Sequence, residues 1–505
     1  MNFRQFLACI VLLTSSISAS AATKLIPDLR HLDALPIHSL PVLSMQKSVA
    51  AAISKDQPLQ FAVSAPLSLT LDDGSWAKLD DGNWSWRTRV YSSGAQSLNL
   101  HFSQFDLPAD ATLWLYDPNG EVIAGPYTSA NELSDKQLWT AVVNGETVIV
   151  ELRVSSASKD QVHLQLAEVN HGYRGFAKAS TGSFGDSGSC EIDVACTAGQ
   201  PYLAQARALA RITISGTALC SGQLVNNVRQ DNTPFFLTAN HCGISSSNAS
   251  SVVFYWNYQN SRCGGDGAEP TYQTQSGSIW VAGNVSSDFT LLKTAVQPTT
   301  SWNLYLAGWN AGNSAPQSGG IVHHPAGDVT KIAVYSSPAV SLNNQTLCTG
   351  TLPITGSCSS TRSVNVWRVS YTQGVTEGGS SGSALYDQNK LIVGQLSGGS
   401  TKCGGSSSAT DIYGRTNAAW TATSSASGQL KANLDPDNTG TLSLVGKNLG
   451  AASSGGGSSG GSSSGGSSGG GVPRGTGSMP LFTLLGLAAL GLFRRRLTSR
   501  RASSV

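Results

Sequence analysis

Charge is scarce in this chain. Asp, Glu, Lys and Arg make up 12% of 505 residues, and the formal net charge is +2. Several of the arginines fall in the last few dozen residues, so the body is close to neutral or slightly acidic. That leaves no basic surface to grip a phosphate backbone, which excludes nucleic acid as a partner. No apolar run reaches the roughly 20 residues of a free-standing membrane span. Cysteine is absent between Cys9 and Cys190, so no disulfide can staple that stretch.

Other features are abundant. Hydrophobic residues at 40% can fill substantial cores, and 55 glycines with many Ser and Thr suit an exported, turn-rich β protein. Arg4, the apolar run Phe6 to Leu13 and the small residues ending Ala19-Ser-Ala21-Ala22 read as a cleaved secretory signal, residues 1–22. Cys9 would leave with it. Eight cysteines would remain in an oxidising compartment, an even number that fits a disulfide framework but permits 105 pairings.

Between Phe61 and Val169 the chain reads as short strands. Trp84-Ser-Trp86-Arg-Thr-Arg-Val90, Ser97-Leu-Asn-Leu-His-Phe102 and Thr112-Leu-Trp-Leu-Tyr116 alternate large apolar with polar residues. Asp-Asp-Gly at Asp72 and Asp80, Asp117-Pro-Asn-Gly120 and Asn144-Gly145 punctuate them as turns. The expected unit is a small antiparallel β-sandwich. The two Asp-Asp-Gly segments are read as hairpin turns in preference to calcium sites, since their spacing is not that of an EF-hand loop. The small-residue stretch Ala177 to Ser189 reads as exposed and cleavable.

A second β-rich region begins at Cys190 and runs to about Gly446. A Gly/Ser tract, Gly455 to Gly471, cannot pack a core. About fifteen mostly apolar residues, Met479 to Phe493, precede Arg494-Arg-Arg496, a short segment able to insert with its arginines on the cytoplasmic side.

Within the second region, His241 in Leu237-Thr-Ala-Asn-His-Cys-Gly243, Asp288 in Ser287-Asp-Phe-Thr-Leu-Leu292 and Ser381 in Gly378-Gly-Ser-Ser-Gly-Ser383 occur in the chain order of a chymotrypsin-type triad. A serine hydroxyl needs a base to take its proton, and a histidine serves when a buried carboxylate holds one tautomer. No Gly-x-Ser-x-Gly elbow surrounds Ser381, which excludes the α/β-hydrolase setting.

These motifs, with Gly188-Ser-Cys-Glu-Ile-Asp-Val-Ala-Cys196, Tyr255-Trp-Asn-Tyr-Gln-Asn-Ser-Arg-Cys263, His323-His-Pro325, Gly394-Gln-Leu-Ser-Gly-Gly399 and Asp411-Ile-Tyr-Gly-Arg415, resemble the bacterial lysyl endopeptidases, serine proteases of chymotrypsin fold. The tail resembles the GlyGly-CTERM sorting signal of exported Gram-negative proteins. The resemblance implies an all-β double barrel at residues 185–446, preceded by a β-sandwich propeptide or accessory domain at 23–184. A Gly/Ser linker would follow at 447–478 and a sorting segment at 479–505.

What it implies for the site is specific. Ser381 would be the nucleophile, His241 the general base and then acid, and Asp288 its orienting carboxylate, with the Gly379 and Ser381 amides as oxyanion donors. Asp411 would receive a basic P1 side chain in place of trypsin's aspartate, whose position is Val375 here. Ser397, Gly398 and Gly399 would line the substrate strand. Some family members carry histidine at the position of Ser397, and the tryptophan that accompanies it has no counterpart around residues 341–350. The implied preference is therefore lysine, or lysine and arginine.

The resemblance pairs Cys190 with Cys403, Cys196 with Cys263 and Cys220 with Cys242, leaving Cys348 and Cys358 to each other. It calls for no cofactor and no metal, and reads the His323–His324 pair as structural. Trypsin's activation switch is missing: there is no Ile-Val-Gly-Gly, and Ser380 stands where trypsin's zymogen aspartate would be. Implied partners are protein or peptide substrates, secretion and sorting machinery with a protease that trims the tail, and the membrane as a transient anchor. The expected location is secreted or cell-surface, reached through the periplasm. The competing reading is a surface-displayed binding protein that works through the sandwich.

Overall fold

The alternating segment Trp84–Tyr91 becomes a central strand because Trp86, Thr88 and Val90 fall on its inward face. In the computed structural model the described residues are 32–43, 57–120, 122–174, 187–265, 270–351 and 358–451. The expected signal peptide, the Gly/Ser tract and the sorting segment lie outside them. Among the described residues no helix is long and apolar enough to cross a membrane.

Two sheets form the N-terminal sandwich. One orders strands Ile37–Ser39, Trp84–Tyr91, Thr147–Val154, Thr112–Tyr116 and Val122–Tyr127, with Ser75–Lys78 also on Trp84–Tyr91. The other orders Val143–Asn144, Ser97–Asp106, His163–Gly172 and Ala62–Leu69, with Leu138–Trp139 on Ser97–Asp106. Leu98, Leu100, Phe102, Leu113, Leu115 and Val150 fill the space between them.

One turn differs from the expectation. Asp80-Asp81-Gly82 closes a hairpin, but Asp72-Asp73-Gly74 is a corner that carries the chain from one sheet to the other. Thr70 and Asp73 cap that corner reciprocally, and Trp86 donates its indole N–H to the Leu71 carbonyl at 2.8 Å. Local capping and an aromatic lid decide the path there, which the dipeptide pattern does not reveal.

The second region is an all-β double barrel. Its first sheet orders Gln273–Ser276, Val253–Trp256, Leu209–Ile214, Ala218–Val225, Phe235–Ala239, Phe289–Thr294 and Ser278–Asn284. Its second orders Ile192–Asp193, Lys331–Tyr335, Gly319–His323, Ala384–Tyr386, Ile392–Gly399, Asp411–Arg415, Cys358–Val369 and Val340–Thr351. Phe236, Phe254 and Trp256 pack within the first barrel, and Trp367, Leu385 and Tyr413 within the second.

The sandwich docks on the first barrel. Leu59–Gln60 adds an antiparallel strand to Ala218–Leu219, and the Phe61 amide donates to Thr217 O at 2.9 Å. Asn99 reaches the Gly216 carbonyl at 2.9 Å, while the Tyr255 hydroxyl accepts from the Val142 amide at 2.9 Å. Leu219, Val253 and Tyr255 belong to the same buried cluster as the sandwich core.

Candidate active site

Adjacent strands bring the first two residues together. Ala239 and Phe289 are paired, His241 follows one in a short 3-10 turn, and Asp288 precedes the other in a left-handed conformation. The Asn240 amide donates to the Asp288 carbonyl at 2.9 Å and clips the two turns together. His241 Nδ1 then lies 2.8 Å from Asp288 Oδ2, and the His241 backbone amide donates to Oδ1 at 2.9 Å.

Asp288 is fully buried. Burial opposes its ionisation, but His241 and the Arg362 guanidinium outweigh that and hold its carboxyl below the ordinary range. Arg362 was not foreseen. It donates from Nη1 to Asp288 Oδ1 and from Nη2 to the Ser397 carbonyl, each at 2.6 Å.

Ser381 comes from the other barrel. Its carbonyl accepts from the Ser221 amide at 2.8 Å, next to Cys220, which is disulfide-bonded to Cys242 beside His241. Gln223 strengthens the junction by donating to Leu237 O at 3.0 Å and accepting from the Ala384 amide at 2.8 Å. His241 Nε2 has no hydrogen-bond partner among the described residues, so the histidine–serine bond is not formed here. Such contacts are often long without substrate.

Asp411 is fully buried between two segments of the same barrel. Thr376 Oγ1 and Thr401 Oγ1 donate to its Oδ2 at 2.5 and 2.6 Å, and the Thr401 amide to Oδ1 at 3.1 Å. Gly399 pairs with Asp411 at a φ of 148°, and a Cβ there would stand 2.0 Å from Asp411 Oδ1. Burial, then their mutual proximity and Asp411, push the Tyr371 hydroxyl far up; burial, then Asp411, does the same for Tyr413.

Ser397 sits at a bulge where pairing slips between Leu396 and Gly398. Its hydroxyl accepts from the Gly414 amide at 3.1 Å, and its carbonyl accepts from Arg362 Nη2. It shares the strand Ile392–Gly399 with Gly398 and Gly399.

The four disulfides are Cys190–Cys403, Cys196–Cys263, Cys220–Cys242 and Cys348–Cys358. His323 and His324 are buried, with Nδ1 of each 2.8 Å from Ser380 Oγ and the Asp328 carbonyl respectively. Among the described residues no cluster of three or more His, Cys, Asp or Glu is arranged to hold a metal ion.

Two family models match the chain: the lysyl endopeptidase C-terminal domain at residues 184–414 and the lysyl endopeptidase N-terminal domain at 33–173. The chain belongs to the lysyl endopeptidase family. A lysyl endopeptidase of Pseudomonas aeruginosa is 27% identical over 402 residues, covering 74% of this chain and 82% of that protein. Among solved structures, the active form of the Rv3671c protease from M. tuberculosis aligns at 15% identity over 43% of this chain and 80% of its own, with a TM-score of 0.28. An HtrA-type protease with a tripeptide aligns at 15% identity over 41% and 56%, with a TM-score of 0.26. The protein is a serine endopeptidase acting on protein or peptide substrates.

Proposed function

We propose that the protein is a secreted endopeptidase that cleaves after basic residues, lysine or lysine and arginine, through His241, Asp288 and Ser381. The observation that carries this reading is the buried His241–Asp288 pair at 2.8 Å, joined to the Ser381 backbone through Ser221 and the Cys220–Cys242 bridge. Asp288 fixes the proton on Nδ1, leaving Nε2 to take the Ser381 proton as the hydroxyl attacks the scissile carbonyl. The Gly379 and Ser381 amides bind the oxyanion, each worth roughly 3–4 kcal/mol. The imidazolium then protonates the leaving amine, and water releases the acyl group by the same steps.

Asp411 supports basic specificity. Its carboxylate is buried among hydroxyl donors, so a P1 cation would gain a charge-assisted bond, while an apolar P1 would gain none.

The N-terminal sandwich is proposed as a propeptide, removed by cleavage near residues 175–186. Leu59 favours an inhibitory role: it pairs with Leu219 beside the Cys220–Cys242 bridge, and its Cδ1 is 3.4 Å from where a Cβ on Gly378 would stand. That segment covers the cleft edge as an added strand. Four disulfides fit an extracellular protein. Passage through the periplasm and a tail held briefly in the membrane and then trimmed complete the proposal.

Fluorophosphonate labelling and peptide cleavage by Ser381→Ala and His241→Ala test it. Each is expected to lose activity by orders of magnitude, and the double variant to be little worse. Near-normal cleavage by purified Ser381→Ala would end the assignment.

A further inference from the structure

The motif His323-His-Pro325 has no part in the chemistry above, yet it leads into the turn that holds the loop before Ser381. Strand Gly319–His323 runs beside Ala384–Tyr386, which brings His323 under residues 378–380. His323 Nδ1 lies 2.8 Å from Ser380 Oγ, and the Glu377 amide donates to the same oxygen at 3.3 Å. On the far side of the ring, His323 Nε2 faces Glu191 Oε2 at 3.7 Å, both side chains fully buried. A carboxylate there favours the proton on Nε2, which leaves Nδ1 as acceptor and the Ser380 hydroxyl as its donor.

The turn that follows makes a second hold. The Ala326 amide donates to the Gly378 carbonyl at 2.7 Å, from a residue held at a φ of 51°. A trans peptide points its C=O and N–H in opposite directions, so this bond turns the Gly379 N–H away from the turn. Gly379 itself has a φ of 96°, and a Cβ there would stand 3.0 Å from both His324 O and Gly327 N. Its carbonyl accepts from Ser221 Oγ at 2.8 Å. Glu191 is anchored in turn by the adjacent Cys190–Cys403 bridge and the pairing of Ile192 with Ile332.

We propose that Glu191, His323 and Ser380, together with the Ala326–Gly378 bond, lock the loop 378–380 in the orientation that presents the Gly379 amide to the oxyanion. Ser380 stands at the sequence position, just before the nucleophile, where trypsin has the aspartate that pairs with a free amino group. It rests on the reading of Ser381 as nucleophile and Gly379 as oxyanion donor. Glu191, His323 and Ser380 are positioning residues, acting through the loop and not on the substrate.

The test uses the processed enzyme, a peptide anilide with P1 lysine, a peptidyl-lysine aldehyde and a simple alkylamine inhibitor. The aldehyde forms an oxyanion on Ser381; the amine fills only the P1 site. Ser380→Ala removes one oxygen, and His323→Gln removes the ring. Each is expected to lower kcat about tenfold to a hundredfold while KM stays within about twofold. Aldehyde affinity should fall in parallel with kcat and amine affinity should hold. Glu191→Gln, which keeps an oxygen facing Nε2, should retain most of kcat, whereas Glu191→Leu should match Ser380→Ala. Should His323→Gln fail to fold, Ser380→Ala decides alone. An unchanged kcat in Ser380→Ala, or equal losses of aldehyde and amine affinity, overturns the lock. Ser381→Ala is run beside them: persistent fluorophosphonate labelling there would overturn the nucleophile assignment itself.

Discussion

Arg362 Nη1 and Asp288 Oδ1 lie 2.6 Å apart, both buried, so the carboxylate that orients His241 is shared with a cation from a distant hairpin. With its folded-state range depressed, Asp288 contributes stability that is present above its unfolded value near 3.9 and lost as pH falls through the folded value. Arg362→Gln removes one of the two charges that outweigh burial, so the loss should begin at higher pH. The acid-unfolding midpoint, followed by tryptophan fluorescence, is expected to rise, and neutral-pH stability to fall by about 3–5 kcal/mol. An unchanged midpoint would mean that His241 and the local amides suffice.

His324 has the opposite linkage. Burial, then the Arg211 cation, push it down to about 3, while an unfolded histidine titrates near 6.5. Below 6.5 the unfolded chain takes up a proton that the folded chain refuses until about 3. Stability therefore falls across that window on acidification, by about 1.4 kcal/mol per pH unit for this one group. His324→Asn retains an N–H able to reach the Asp328 carbonyl and should flatten the slope by about one proton. Denaturant unfolding at several pH values between 4 and 6.5 measures this; parallel curves for parent and variant would reject it.

The sequence carried the fold where periodicity was strong. Trp84–Val90 and Ser97–Phe102 alternate because one face meets the sandwich core, and they lie in strands Trp84–Tyr91 and Ser97–Asp106. His241 and Asp288 were legible because short motifs fix them at the ends of paired strands. Arg362 was not legible: it lies on Cys358–Val369, where nothing local marks it, and that strand is placed by pairing with Val340–Thr351 and Asp411–Arg415, far from Asp288 in sequence. The setting of the Ser397 side chain was not legible either, because alternation along a strand cannot reveal a bulge, and the slip at Leu396/Gly398 turns its hydroxyl to the Gly414 amide. The contact of Ser380 with His323 was not legible for the same kind of reason, since the two lie 57 residues apart in sequence.

Release of the sandwich should uncover the cleft. Leu59 pairs with Leu219 and packs toward Gly378, so Leu59→Asp places an unpaired charge at a contact that is otherwise apolar. In the unprocessed precursor this variant is expected to raise the fluorophosphonate labelling rate by about tenfold or more, since about 1.4 kcal/mol of lost docking corresponds to tenfold. In the processed enzyme kcat/KM should be unaffected. Equal labelling of parent and variant precursors would show that the added strand does not restrain the site.

Asp411 gives the most direct test of substrate preference. Thr376 and Thr401 hydroxyls, with the Thr401 amide, hold its carboxylate in a fully buried position. Asp411→Asn keeps the size of the side chain and an oxygen for those donors, so the barrel should fold, but it removes the negative charge. Truncating one partner of a buried charge pair costs roughly 2–5 kcal/mol, so kcat/KM on P1 lysine or arginine should fall on the order of 30-fold to several thousand-fold. Substrates with apolar P1 residues should lose far less, because His241, Asp288 and Ser381 are untouched. A peptide-library digest by parent and variant reads both classes at once. Equal losses on basic and apolar substrates would point to a folding defect, and no loss on either would place the specificity determinant elsewhere in the cleft.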